Sequence, residues 1–200
     1  MAIDVKKHLF MLLLLALSTA LFAQQADLID FQTHSLQTRR GAMMVLGSWA
    51  AGNILLGASL MPSKTGTDRA FHQMNIMWNA VNLGIATIGY LQASKSIPTN
   101  ISLYDVTKDH FSMQKILLLN AGLDVGYMLG GLYLTERARR GGKHEDRMRG
   151  WGRSIILQGG FLFAFDVVTA IVLSGQNTDL QQLMGSIRFD GRQIGLSLQF

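Results

Sequence analysis

The sequence predicts an all-α membrane protein: an antiparallel four-helix transmembrane bundle after a signal peptide, with a small C-terminal β-hairpin. Three observations predict it. Of 200 residues, 48% are hydrophobic and only 16% are charged, against roughly 25% charged in an ordinary soluble domain. Mean hydropathy is +0.22. Beyond an apolar N-terminal run, four further apolar stretches each reach about 20 residues, enough for a helix to cross ~30 Å of hydrocarbon. With only 2 prolines and no low-complexity tract, the chain is neither a disordered tail nor a fibrous repeat. The absence of cysteine excludes disulfide scaffolds, cysteine-based zinc sites, iron–sulfur clusters and thiol nucleophiles.

Residues 1–23 have the shape of a secretory signal peptide: Lys6 and Lys7, an apolar run from Leu9 to Phe22, then small residues. Cleavage after Ala23 or after Ala20 fits, as does an uncleaved anchor helix, and each places Gln24 outside the cytoplasm. Leu28, Phe31 and Leu36 recur at near-helical spacing across residues 26–37, the pattern of an amphipathic helix lying on the outer surface. The transmembrane domain is expected over residues 24–175, with helices at about 42–61, 71–91, 116–134 and 155–173. The second of these, FHQMNIMWNAVNLGIATIGYL, is polar enough for a soluble four-helix bundle to compete. Ser102 followed by Asp105 resembles a capping box, so a helix is expected to lead into the third segment. Residues 176–200 form an extracytoplasmic tail in which SIRFDGRQIGLSLQF alternates around Asp190-Gly191, a hairpin signal.

Direction follows from basic residues near the helix ends. Arg137, Arg139, Arg140, Lys143, Arg147, Arg149 and Arg153 crowd one connection, which is therefore cytoplasmic. The mature termini then lie outside the cytoplasm. Arg39 and Arg40 stand against this trend. Glu136, Glu145 and Asp146 dilute the basic cluster and no aromatic stacking pattern accompanies it, so a nucleic-acid partner is not expected. The expected partner is the lipid bilayer, with a further membrane protein or a second copy as candidates.

Polar residues inside the apolar stretches carry the most information. His72, Asn75, Asn79 and Asn82 are spaced 3, 4 and 3 and fall within an arc of ~80°. Asn120, Asp124 and Tyr127 fall within ~60°, and Ser154, Gln158, Asp166 and Thr169 within ~120°. Asn53, with Trp49 one turn away, extends the pattern to the first segment. Polar groups facing hydrocarbon cost several kcal/mol each, so these stripes should face one another. At ~1.5 Å per residue from the outer ends, Asp124, Asp166, Asn82 and Asn53 lie ~12, ~10, ~13 and ~16 Å deep. They share a layer, into which Asn79, Asn120 and Tyr127 are also placed. His72 and Asn75 belong to the cytoplasmic end. No Lys or Arg lies at the depth of the two aspartates, so both cannot ionise together in low dielectric. The pair is open to two readings: a hydrogen-bonded layer fixing helix register, or a proton- or cation-linked site.

Gly122, Gly126 and Gly130 give two overlapping GxxxG spacings, for packing within the chain or for a homodimer seam. No nucleotide loop, zinc-protease motif or Ser/His/Asp set is present. No catalytic residue, metal ligand or cofactor is expected, although a quinone- or redox-cofactor module around His72 and Trp78 is one alternative.

The stretches GSWAAGNILLG, AFHQMNIMWNAVNLGIA and LLLNAGLDVGYMLGGLYL resemble an uncharacterised family of small bacterial multi-pass membrane proteins that carries only a domain-of-unknown-function label. Trp49, Asn53, His72, Asn75, Trp78, Asn79, Asn82, Asn120, Asp124 and Tyr127 carry the likeness, from about Arg40 to Leu134 and more loosely through the fourth segment. The resemblance implies a multi-helix inner-membrane protein and supplies no activity. The function expected is that of an integral inner-membrane protein with a structural polar core, a scaffold or accessory subunit. The rival is a proton- or small-solute-coupled transporter using Asp124 and Asp166.

Overall fold

The computed structural model describes residues 2–185, 187–189 and 194–196. Its elements are α1 (Ala2–Leu60), a 3-10 turn (Met61–Ser63), α2 (Gly66–Ala93), α3 (Leu103–Ala138), α4 (Glu145–Gly175), α5 (Asn177–Gly185), β1 (Ile187–Phe189) and β2 (Ile194–Leu196). This corrects the expected four-span bundle. Three helical stretches are long and apolar enough to cross a membrane, Phe22–Ser63, Leu103–Ala138 and Glu145–Gly185. The fourth expected span, α2, is long enough but too polar, because its buried face carries Asn75, Asn79 and Asn82.

The N-terminal segments expected as a signal peptide, an amphipathic helix and a first span are one helix of 59 residues. Neither Gly nor Pro occurs between Leu9 and Arg40, so nothing in that stretch terminates a helix. Hydropathy marked only its apolar portions. The basic connection is likewise mostly helical: α3 runs to Ala138 and α4 begins at Glu145. Gly141 and Gly142 at φ 73° and 121° make the turn between them, a conformation that glycine adopts without a Cβ penalty. Glu145 and Asp146 suit the positive end of the α4 dipole, and Glu145 accepts a 2.5 Å bond from Arg149 one turn on. At the tail, the expected hairpin module is replaced by α5 and a pairing of two three-residue strands, Ile187 opposite Leu196 and Phe189 opposite Ile194. The Asp190-Gly191 turn and residues 197–200 lie outside the described residues.

The chain divides into two compact units. One comprises Met1–Ser35, Ser96–His110 and Gln176–Phe200. Here Leu28, Phe31, Val106 and Leu180 are buried, so the apolar face of residues 26–37 is covered by protein. The Phe31 and His110 rings meet edge to face at 5.2 Å. Gln25 donates to Ile101 O at 3.2 Å, Gln32 to Asp109 at 3.2 Å, and His110 pairs with Asn177 at 2.8 Å. Ser102 caps α3: its Oγ accepts from Asp105 N at 3.1 Å and donates to the Asp105 carboxylate at 2.6 Å.

The other unit comprises Leu36–Lys95 and Phe111–Gly175. Its apolar core is small, with Leu117, Ala170 and Leu173 packed together beside Met113. Its side chains are otherwise sorted inside out. Gln158 and Asn79 are 0% exposed, whereas Leu119, Ile171 and Val81 are 65%, 65% and 63% exposed. A soluble bundle buries the second set and hydrates the first. Close helix contact is made by glycines. A Cβ on Gly150 would strike the Thr67 carbonyl of α2, and one on Gly152 would lie 2.5 Å from the Gly131 carbonyl of α3.

Candidate functional site

Within this second unit the polar residues form two neighbouring groups. The first joins α1, α2 and α4. Trp49 Nε1 donates to Gln158 Oε1 at 2.9 Å, and Gln158 Nε2 donates in turn to Asn75 Oδ1. Asn75 Nδ2 donates to Asn53 Oδ1 at 2.9 Å, and Asn53 Nδ2 to the Trp49 carbonyl at 2.8 Å. Asn79 Nδ2 donates to the Asn75 carbonyl at 2.8 Å. The Trp49 ring stacks on Phe161 with centroids 3.9 Å apart and planes 4° from parallel. None of these groups changes charge near neutral pH, and their donors and acceptors largely consume one another. Chemically this group does one thing: it fixes how three helices meet.

The second group joins α2, α3 and α4. Asp124 and Asp166 are both buried, with carboxyl groups within hydrogen-bonding reach of each other. Gly159, two turns before Asp166, allows this approach: a Cβ there would lie 3.1 Å from the Asp124 carbonyl. The pair lines a cavity of about 600 Å³ together with Asn82, Asn120, Tyr127 and Trp78. The remaining wall is apolar, including Met43, Met74, Met77, Met113, Leu117 and Phe165. Trp78 and Tyr127 meet edge to face at 5.0 Å and 84°. Asn82 Nδ2 and Asp124 Oδ2 are buried without a hydrogen-bond partner among the described residues. This group has unspent hydrogen-bonding capacity and a space to direct it into, whereas Asn79, whose Oδ1 is the unpartnered atom of the first group among the described residues, does not line the cavity.

Of the residues expected in one layer, Asp124, Asp166, Asn82, Asn120 and Tyr127 line this cavity together. Asn53 and Asn79 sit instead with Asn75, one step along the helices. Gln158, present in the α4 stripe but not singled out for the core, is the hub of the first group. His72 does not line the cavity; its ring lies edge-on to Phe71 at 5.4 Å. Six residues separate it from Trp78, ~9 Å along the axis and ~240° around it, so the two do not form one site. Among the described residues no three His, Cys, Asp or Glu side chains are grouped to hold a metal ion.

Gly122, Gly126 and Gly130 face open space, with nothing within 4 Å of an added Cβ. Among the described residues they make no packing contact. The glycines that pack closely are Gly57, Gly89, Gly131, Gly150, Gly152 and Gly159. A signal for two of them was present, because Gly152 and Gly159 are seven residues apart and share a helix face.

Fold and site together define a helical protein with membrane-length segments and an inward-facing polar seam. The chain belongs to a family of unknown function (DUF6992), whose model matches residues 45–167. That stretch holds Trp49 and Asn53 at one end and Asp166 at the other, so both polar groups fall inside it. No curated protein and no solved structure matches the chain.

Proposed function

We propose that the chain is an integral protein of the bacterial inner membrane that acts by binding rather than by catalysis. The single observation that carries this reading is the inverted burial of the second unit, with amides and carboxyls inside and Leu, Ile and Val outside. In water that arrangement exposes large apolar side chains and desolvates polar ones, both at a cost. In a bilayer it is the favourable one. The hydrogen-bonded group around Gln158 is the structural core, and the Asp124–Asp166 pair at the cavity is the binding site.

Lys6 and Lys7 ahead of the apolar run support export of the following segment, and the basic residues from Arg137 to Arg153 support a cytoplasmic α3–α4 turn. A transporter reading draws on the same cavity and carboxyl pair; a scaffold or accessory-subunit reading draws on the open Gly122, Gly126 and Gly130 face.

The test is carbonate extraction of native membranes combined with single-cysteine labelling in this cysteine-free chain. Retention in the membrane is expected, with Lys143→Cys reached by an impermeant maleimide only after the membrane is opened. Release by carbonate would overturn the reading.

A further inference from the structure

The geometry points to a lipophilic monovalent cation as the molecule that the Asp124–Asp166 cavity takes up from the bilayer, a deepening of the membrane-embedded reading on which it rests. Four observations converge on that chemistry. The first is charge. Among the cavity-lining residues the titratable ones are Asp124 and Tyr127 from α3 and Asp166 from α4, whereas α1 and α2 supply none. Two adjoining carboxyls in low dielectric, with no Lys, Arg or His beside them in the wall, balance their charge either with protons or with a cation that arrives.

Aromatic lining is the second. Trp78 and Tyr127, held edge to face, offer electron-rich surface beside the carboxyls, and cations are attracted to such ring faces. Third, Asn82 is 4% exposed, lines the same cavity and spends no hydrogen bond on its buried Nδ2. Rotation of the side chain exchanges its donor and acceptor ends, so it offers an oxygen to an ammonium ligand.

The fourth observation concerns shape and access. Met43, Met74, Met77 and Met113 line the wall, and methionine's flexible, polarizable chain adapts to varied apolar bodies. Val81 and Ile85 belong to both the cavity wall and the exposed apolar surface, at 63% and 53% exposure. The opening therefore faces the lipid side, the route of an amphipathic molecule rather than of a hydrated inorganic ion. A cavity of about 600 Å³ lies in the size range of small-molecule sites.

Proton exchange follows from charge balance. When a monovalent cation enters a site whose carboxyls are balanced by protons, one proton leaves to water and the net charge of the site is unchanged. Affinity then rises with pH, by up to tenfold per unit for one proton released.

The experiment measures tetraphenylphosphonium binding to the full chain in detergent by equilibrium dialysis, with triphenylphosphine oxide as the neutral counterpart. Saturable binding at least tenfold tighter than the oxide, stronger at pH 8 than at pH 6, is expected. Asp124→Asn with Asp166→Asn should weaken it by more than tenfold. Should that double variant fail to fold, Val81→Trp, which fills the mouth from the lipid side, should abolish binding while leaving both carboxyls in place. Equal affinity for the oxide, undiminished binding in Val81→Trp or in a folded double variant, or no saturable binding would overturn the proposal. Carbonate extraction keeps the two claims apart: a chain that stays in the membrane but ignores the cation refutes only this inference.

Discussion

Replacing Gln158 by Leu keeps a similar volume and removes the hub of the first polar group. Two interhelical bonds are lost, from Trp49 Nε1 at 2.9 Å and to Asn75 Oδ1. Bonds of this kind within membranes average ~0.6 kcal/mol and reach ~1.7, so the direct loss is about 1–3 kcal/mol. Trp49 Nε1 is then left without its acceptor, at about 1–3 kcal/mol if it finds no other. Asn75 Oδ1 suffers less because Asn79 Nδ2 still approaches it at 3.3 Å. The expected destabilisation is therefore about 2–6 kcal/mol. The assay is reversible unfolding in mixed micelles of increasing denaturing-detergent fraction. Trp49→Phe and the double variant complete a cycle whose coupling energy should be about 0.6–1.7 kcal/mol, one such bond. Leu119→Ala, at a 65% exposed position, serves as control and should shift stability far less. A Gln158→Leu chain as stable as the parent, or a coupling energy of zero, would refute the claim that this network holds the helices together.

Gly150→Ala and Gly152→Ala should each destabilise by about 1–3 kcal/mol or more, because the new methyl meets the Thr67 or Gly131 carbonyl. Gly126→Ala should be neutral or stabilising by up to ~1 kcal/mol, since it meets nothing within 4 Å and improves helix propensity; the same unfolding assay reads all three. Ser102→Ala should cost about 1 kcal/mol and raise amide exchange in the first turn of α3, while Ser102→Thr, which keeps a hydroxyl to accept and donate, keeps the cap. Asp124→Asn and Asp166→Asn, made singly, should leave the fold intact, because an amide bonds to a carboxyl where two carboxyls bonded before. Circular dichroism and detergent-solubilised mass check this, with loss of helicity the contrary result.

Much of the polar seam is legible because helical spacing is rigid: Asn75, Asn79 and Asn82 cannot leave one face of α2, and depth counting brings Asp124 level with Asp166. Depth counting fails for Asn53, whose bond to Asn75 lies one layer from the carboxyls, since an error of a few residues in a helix end moves a side chain by a full turn. Helix lengths are the least legible feature. Hydropathy ends where polarity begins, but a helix ends where Gly, Pro or a cap stops it, so α1 and α4 outrun their apolar cores. The glycine seam misleads for a related reason. GxxxG spacing states only that a helix face is smooth, whereas Gly150 and Gly152 pack closely because a second helix crosses there.

The central claim is that the polar faces of α3 and α4 meet inside a membrane with their carboxyls adjoining. Because the chain has no native cysteine, Asp124→Cys with Asp166→Cys reports that contact alone, using a short thiol cross-linker in native vesicles, with Leu119→Cys and Ile171→Cys on the outward faces as the comparison pair. Rapid intramolecular cross-linking of the inner pair and none within the outer pair is the outcome predicted; an inner pair that stays open, or an outer pair that closes, contradicts the account.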